Sequence, residues 1–164
     1  MKKTIYLAGG CFWGVEAYYK KLRGILDTKC GYANGDILNP LYEDLKNHLA
    51  TYAEVVQINY DDETIPLVKV IEHFMRIIDP YSVNHQGGDT GLQYRTGVFY
   101  EDPKDGETIN EYLDNLPKVK PFVIIVEPLT NFYDAEEYHQ DYLDLHPNGY
   151  CHVDFKKIRD DEKK

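Results

Sequence analysis

The six residues Gly9-Gly10-Cys11-Phe12-Trp13-Gly14 constrain this chain more than any other stretch. They join an apolar run, Ile5-Tyr6-Leu7-Ala8, to a run in which Val15, Tyr18, Tyr19 and Leu22 recur at roughly helical spacing. The paired glycines permit the tight turn that takes a strand into a helix. Cys11 then falls in the first helical turn, where unpaired N–H groups and the positive end of the helix dipole favour an anion. A thiol there should ionise more readily, and the thiolate is its nucleophilic form. Phe12 and the chain's only tryptophan, Trp13, set an aromatic surface beside it. The same residues also suit a packed strand–helix junction around an inert buried cysteine. On this stretch alone both readings stand. A phosphate-binding loop is disfavoured, because neither the dinucleotide pattern nor a Lys-Ser/Thr pair is present.

At 164 residues the chain is expected to form one catalytic domain, 1–164, with a charged tail from about 152. A net charge of −10 argues against nucleic acid and against anionic membrane surfaces. No apolar run reaches transmembrane length, and Met1-Lys2-Lys3-Thr4 leads straight into the first strand without a signal-peptide core. A cytoplasmic setting is the expectation. Cys11, Cys30 and Cys151 are too few and scattered for a disulfide scaffold, and no CxxC pair exists. His139, His146, Cys151 and His152 cluster near the C-terminus, but their spacing fits no standard ligand pattern, so no metal is expected. Tyrosine is over-used, with 15 against 6 phenylalanines. Its polar tip and apolar body suit a wet pocket or a covered surface.

Strands are expected over 3–8, 25–33, 52–60, 94–100 and 122–127, the last the clearest buried strand. Helices are expected over 11–23, 66–78 and 107–116, and over 135–145 with Asp134 as its cap. A glycine-rich loop spans 85–91 and is expected to do a job, because it cannot pack a core. Strands alternating with helices but interrupted by hairpin-like pairs favour a compact α/β or α+β sandwich over a doubly wound parallel fold.

Glu54 interrupts an apolar strand. By alternation it shares a face with Tyr52 and Val56, while Ala53 and Val55 face the other way. On a solvent face it is an ordinary carboxylate. In a pocket ringed by tyrosines, burial raises its pKa and makes it a proton donor. The sequence leaves both open.

Several runs, taken in order, carry a family resemblance. They are Gly9–Gly14, Gly31-Tyr32-Ala33, Asn39-Pro40-Leu41-Tyr42, Ala53-Glu54-Val55, Gln86-Gly87-Gly88-Asp89 with Gln93-Tyr94-Arg95, Tyr138-His139-Gln140-Asp141-Tyr142-Leu143, and Asn148-Gly149-Tyr150-Cys151. The chain resembles the methionine sulfoxide reductase A family from about Thr4 to Cys151. The resemblance implies an α+β fold, a two-layer α/β sandwich with a ferredoxin-like core of mixed sheet and packed helices. It implies Cys11 as nucleophile, Phe12 and Trp13 as the wall receiving the substrate methyl group, and Tyr42, Glu54 and Tyr94 around the sulfoxide oxygen. Asp89 is implied as a supporting polar residue and Cys151 as the resolving cysteine.

The implied reaction reduces methionine S-sulfoxide, free or in proteins, through a sulfenic acid and a Cys11–Cys151 disulfide. Electrons come from thioredoxin, with no cofactor, and a monomer is expected. Cys30 reads as a small buried hydrophobe. Two departures stand out: Thr51-Tyr52 where the family commonly has Gly-His, and Asn34 where it usually has glycine. Two other readings of the residues are a non-catalytic aromatic cage for a methylated cation and a general thiol peroxidase.

Overall fold

The computed structural model describes residues 1–35, 42, 52–86, 89–90, 94–146, 148–149, 151 and 153–164, with His85, Asp89 and Thr90 described by backbone alone. Its frame is laid down by β1 (Lys2–Gly9), α1 (Phe12–Lys20), β2 (Ile25–Ala33), β3 (Ala53–Asp61), α2 (Leu67–Ile77) and, after a short ladder, β6 (Thr96–Tyr100). β4 (His85–Gln86) and β5 (Asp89–Thr90) make that two-stranded ladder. The chain continues through α3 (Pro103–Asp114), β7 (Ile125–Pro128), β8 (Phe132–Asp134) and a short α4 (Tyr142–Leu145).

Six strands form one mixed sheet in the order β7-β6-β1-β3-β2-β8. Only the β6–β7 pair is parallel; the other four pairings are antiparallel. The fold is therefore α+β.

Period-two alternation sorts the strand residues between two faces. Ile5, Leu7, Cys30, Tyr32, Val56, Ile58 and Tyr60 join the main core, together with Val15, Tyr18 and Tyr19 of α1 and Val70, Ile71 and Phe74 of α2. Tyr6, Ala8, Ala33, Ala53, Val55 and Phe99 form a smaller cluster on the opposite face. Tyr52 and Val56 fall on the first face and Ala53 and Val55 on the second, as alternation requires.

Many of the tyrosines are neither surface cover nor pocket lining but core. Tyr18, Tyr19, Tyr32, Tyr52 and Tyr60 are among the largest fully buried side chains. Several bury their rings because the hydroxyl finds a partner. Tyr19 donates to the Val70 carbonyl at 2.7 Å, Tyr18 lies 2.7 Å from His73 Nδ1, and Tyr32 donates to Glu136 at 2.8 Å.

Three expectations need correction. The segment 122–127 is not a deeply buried strand: β7 begins at Ile125 and is half-buried, because it pairs only with β6 at the sheet edge. The segment 135–145 is not one helix capped by Asp134. Asp134 ends β8, a 3-10 turn spans Glu137–His139, and Asp141 at φ +54° breaks the path before α4. The 85–91 loop contains the β4–β5 ladder, anchored by the buried Gln86 side chain. Its amide donates to the Asp79 carbonyl and to Thr96 Oγ1, and accepts from the Asp79 N–H.

Asn34, the departure from a usual glycine, sits at φ +54°, a region asparagine tolerates. Its side chain donates to Glu127 and to the Pro128 carbonyl and accepts from the Thr130 N–H, tying β2 to the chain after β7. Tyr52, the described half of the other departure, is 1% exposed and meets Tyr133 edge-on at 5.9 Å. Thr51 lies outside the described residues.

The charged C-terminal segment folds back on the domain. It makes 3-10 turns at Phe155–Lys157 and Asp160–Glu162, and Lys163 bridges to Leu22. Among the described residues no helix is long and apolar enough to cross a membrane.

Candidate active site

The site grows from the β1–α1 junction. Gly10 takes φ +87°, a conformation that disfavours any side chain, and this turns the strand into the helix. Gly9 serves differently: a Cβ there would stand 2.9 Å from the Phe74 ring, so its absence lets the strand end lie flush on α2. Cys11 becomes the N-cap of α1 in extended conformation, one residue before the first helical turn, and is 7% exposed.

Most helices use an oxygen side chain at that position. Here Cys11 makes no side-chain cap bond. Glu54, reaching over from β3, accepts from the Phe12 N–H at 3.4 Å instead. The Glu54 side chain is 1% exposed, so it does not lie on a solvent face.

The aromatic residues assemble around His139. Phe12 lies 5.1 Å from its ring, Trp13 5.7 Å, and Tyr42 4.8 Å. Phe12 is buried at 1% exposure, whereas Trp13 is only half-buried and offers the accessible ring. Trp13 is clamped twice: its Nε1–H donates to His139 Nδ1 at 3.1 Å, and its ring stacks on Tyr142 at 3.8 Å and 11°. Burial holds His139 below the usual histidine range, against the pull of Glu136. The neutral ring can therefore accept from Trp13.

Tyr42 and Tyr94 come together with hydroxyls 3.4 Å apart. Tyr42 is held from behind, its N–H donating to Glu136 at 3.1 Å. Burial raises the Glu136 pKa, but bonds donated by Tyr32, Tyr42 and Tyr138 outweigh that and hold it below the usual carboxylate range. Asp89 pairs through its backbone with Gln86, and its side chain lies outside the described residues.

None of the three cysteines is in a disulfide. Cys151 is half-buried, with its sulfur against Gly14 of α1. Burial pushes its thiol up, partly offset by the Val153 N–H. Cys30 is fully buried, its thiol directed at the Phe12 carbonyl at 3.9 Å. Burial and the nearby Glu16 push it well above the ordinary thiol range. That matches the reading of a small buried hydrophobe.

Sequence reasoning gave no role to His139, Gln140 or Tyr142, although all three sit in one recognised run, and it missed Glu136. Gln140 shows why the run holds together. Its side-chain amide accepts from the Cys30 N–H and donates to the Cys30 carbonyl, both at 2.8 Å, acting as one more strand residue beside β2.

The arrangement brings together a thiol at a helix start, a buried carboxylate at the same start and a clamped aromatic wall, and the family that the chain matches defines the class as an oxidoreductase. The sequence model of peptide methionine sulfoxide reductase matches residues 3–164. Peptide methionine sulfoxide reductase MsrA of Lachnoclostridium phytofermentans is 53% identical over 155 residues, covering 93% of each chain. Mxr1 from Saccharomyces cerevisiae in reduced form matches with TM-score 0.87 at 41% identity, over 92% of this chain and 88% of that one. Mxr1 in complex with Trx2 matches with TM-score 0.62 at 34% identity, over 86% and 84%. The chain belongs to the MsrA family of peptide methionine sulfoxide reductases. Family membership makes it an oxidoreductase acting on methionine sulfoxide and removes the reading as a non-catalytic aromatic cage.

Proposed function

We propose that this enzyme reduces methionine S-sulfoxide, free or in proteins, with Cys11 as nucleophile, Cys151 as resolving thiol and thioredoxin as reductant. The observation that carries the reading is Glu54: a carboxylate 1% exposed, held 3.4 Å from the N–H that follows Cys11. A sulfoxide has an electron-poor sulfur and a basic oxygen. Attack by the Cys11 thiolate sends charge to that oxygen, and a protonated Glu54 donates to it, with Tyr42 and Tyr94 as phenolic donors. Losing one such donor costs on the order of a hundredfold in rate. The start of α1 favours the negative charge that Cys11 must carry. Trp13 receives the methyl group by area burial and dispersion, with Phe12 behind it and Asp89 supporting the polar side. A wall on one side and donors on the other discriminate between epimers at a pyramidal sulfur.

The sulfoxide sulfur gains two electrons and its oxygen passes to Cys11, which becomes a sulfenic acid. The Cys151 thiol condenses with it, forming the disulfide and releasing water. A dithiol then reduces the disulfide; the Mxr1 complex with Trx2 supports thioredoxin in that role. The two-layer, ferredoxin-like reading of the fold is supported by the β-α-β-β-α-β order of β1, α1, β2, β3, α2 and β6 and their strand order β6-β1-β3-β2.

The test is an assay with separated R and S epimers of a sulfoxide peptide, with and without thioredoxin. Turnover of S alone, dependent on thioredoxin and lost in Cys11→Ser, is expected. Turnover of R at a comparable rate, or by Cys11→Ser, overturns the assignment, and faster consumption of peroxide than of sulfoxide points to a thiol peroxidase.

A further inference from the structure

Gly14 sits within the first turns of α1, where glycine costs about 1 kcal/mol relative to alanine. No positive φ requires it there; among the described glycines only Gly10 and Gly24 have one. Its reason lies outside the helix. A Cβ on Gly14 would stand 2.9 Å from Cys151 Sγ, closer than real Cβ contacts come, and 3.0 Å from Val153 Cγ2, tighter than most of them. The missing side chain is a hollow, and the Cys151 sulfur occupies it.

The hollow lies at the third residue of α1, and Cys11 is the N-cap of that helix; an N-cap side chain and the third helical residue are neighbours, close enough for the capping-box bond that joins them in many helices. The Cys151 sulfur is fixed there from its other side as well. The Val153 N–H donates to it at 3.4 Å, and the thiol reaches the Val153 carbonyl at 3.5 Å. Beyond Val153 the segment returns to the far end of α1, where the Arg23 N–H donates to the Glu162 carbonyl at 2.8 Å and the Lys164 N–H to the Lys21 carbonyl at 3.0 Å. The resting thiol is thus parked along the same helix whose start carries Cys11.

We propose that Gly14 is a positioning residue for recycling: its bare backbone seats the Cys151 thiol within a turn of Cys11, ready to condense with the sulfenic acid. The inference rests on the proposed roles of those two cysteines. In the step it serves, the S–O bond of Cys11 breaks and the Cys11–Cys151 bond forms. The thiol proton leaves with the hydroxyl as water, the sulfenic sulfur is reduced and the Cys151 sulfur oxidised. Burial pushes the Cys151 thiol up, so its advantage is placement rather than acidity.

Gly14→Ala tests this, because alanine suits a helix interior and the variant is expected to fold. Three quantities are measured: methionine released in a single turnover without reductant, sulfenic acid trapped by a 1,3-diketone, and turnover with thioredoxin or with dithiothreitol. The first turnover should keep its wild-type rate. Disulfide formation and thioredoxin-driven turnover should fall by on the order of ten- to a hundredfold. Trapped sulfenic acid should rise, and turnover with dithiothreitol, which reduces the sulfenic acid directly, should stay within about twofold. Adding Val153→Ala removes the second close contact and should restore part of the lost rate. Disulfide formation at the wild-type rate, or an equal fall with both reductants, overturns the proposal. Cys151→Ser separates it from the reading beneath: if that variant accumulates no trappable sulfenic acid, the cysteine roles fail. If it does while Gly14→Ala behaves as wild type, only the seat fails.

Discussion

The two ends of the proposed thiol pair are built in opposite ways. Cys11 stands where β1, paired on both edges with β3 and β6, runs into a helix packed across the main core. Backbone ladders hold both edges of the strand that leads into it. Cys151 belongs to a stretch whose described residues add no strand to the sheet and form short 3-10 turns beyond it. Isolated backbone bonds to the end of α1 and side chains hold that stretch, above all Glu162, which pairs with Arg76 at 2.7 Å and Lys69 at 3.2 Å. A nucleophile that must meet a substrate benefits from a fixed position. A thiol that must bond to that nucleophile and then present the disulfide to another protein cannot be locked into a ladder. Ion pairs that break and re-form suit it.

The sharpest way to break this contrast is to exchange each sulfur for oxygen. Cys11→Ser is expected to abolish methionine release altogether, a fall of more than about a thousandfold. Cys151→Ser should still release about one methionine per enzyme in a single turnover, yet lose thioredoxin-driven cycling by a similar factor. Quenched-flow measurement of methionine formed per enzyme checks both. Full cycling by Cys151→Ser would move the resolving role to Cys30 or to an external thiol.

A smaller effect probes the rigidity of the Cys11 side. His139→Leu removes the acceptor of the Trp13 Nε1–H while leaving the stack on Tyr142 in place. The indole should lose its fixed tilt, and kcat/KM for the sulfoxide should drop about tenfold, the worth of one good buried hydrogen bond. Because His139 acts through Trp13, the second cycle step should be untouched: disulfide formation from preformed sulfenic acid should keep its rate. A fall in that rate too would mean that the clamp also positions Cys151.

What the sequence made legible follows the same division. The β1–α1 junction was readable because its signals are local: apolar run, paired glycines, helical spacing. That Glu54 shares a face with Tyr52 and Val56 was readable because strand alternation is strict, whereas whether that face meets solvent was not. The segment 132–164 was not, because long-range partners decide its structure. Residues 135–145 carry helical spacing, yet Gln140 is spent on the Cys30 backbone and the Asp141 N–H on the buried Glu16 carboxylate at 2.7 Å, and these bonds divide the helix. The run 122–127 reads as a buried strand because its apolar content says nothing about edge position. Glu162 in a charged tail looks like any solvated acid until Arg76 and Lys69 of α2 are seen to face it.

The mildest effect tests the tail's own anchor. Hydrogen bonding to Arg76 holds the Glu162 carboxyl well below the usual carboxylate range, against burial, with help from the Arg159 N–H and Lys69. Its stabilisation is therefore complete above the unfolded carboxylate value of 4.5 and is lost as pH falls below it. His73, which faces Glu162 and Tyr18, is pushed down to about 4 by burial, from 6.5. Here the unfolded chain takes up the proton first, so stability also drops as pH falls from 6.5 toward 4. The Glu162 charge pulls His73 back up against burial, so a neutral residue at 162 lowers the His73 value further. Glu162→Gln should cost about 1–3 kcal/mol at pH 7, since it removes the charge that faces Arg76 and Lys69 and leaves Arg76 with Glu72 and the Lys157 carbonyl. The gap between variant and wild type should persist from pH 7 to 5 and narrow below the carboxylate range, while the slope between pH 6.5 and 4 from His73 survives in both. Urea melts across that pH range measure it. A gap that stays constant down to pH 3 would mean that Glu162 anchors the tail by packing rather than by charge, and the contrast between a ladder-held and an ion-held cysteine would lose its basis.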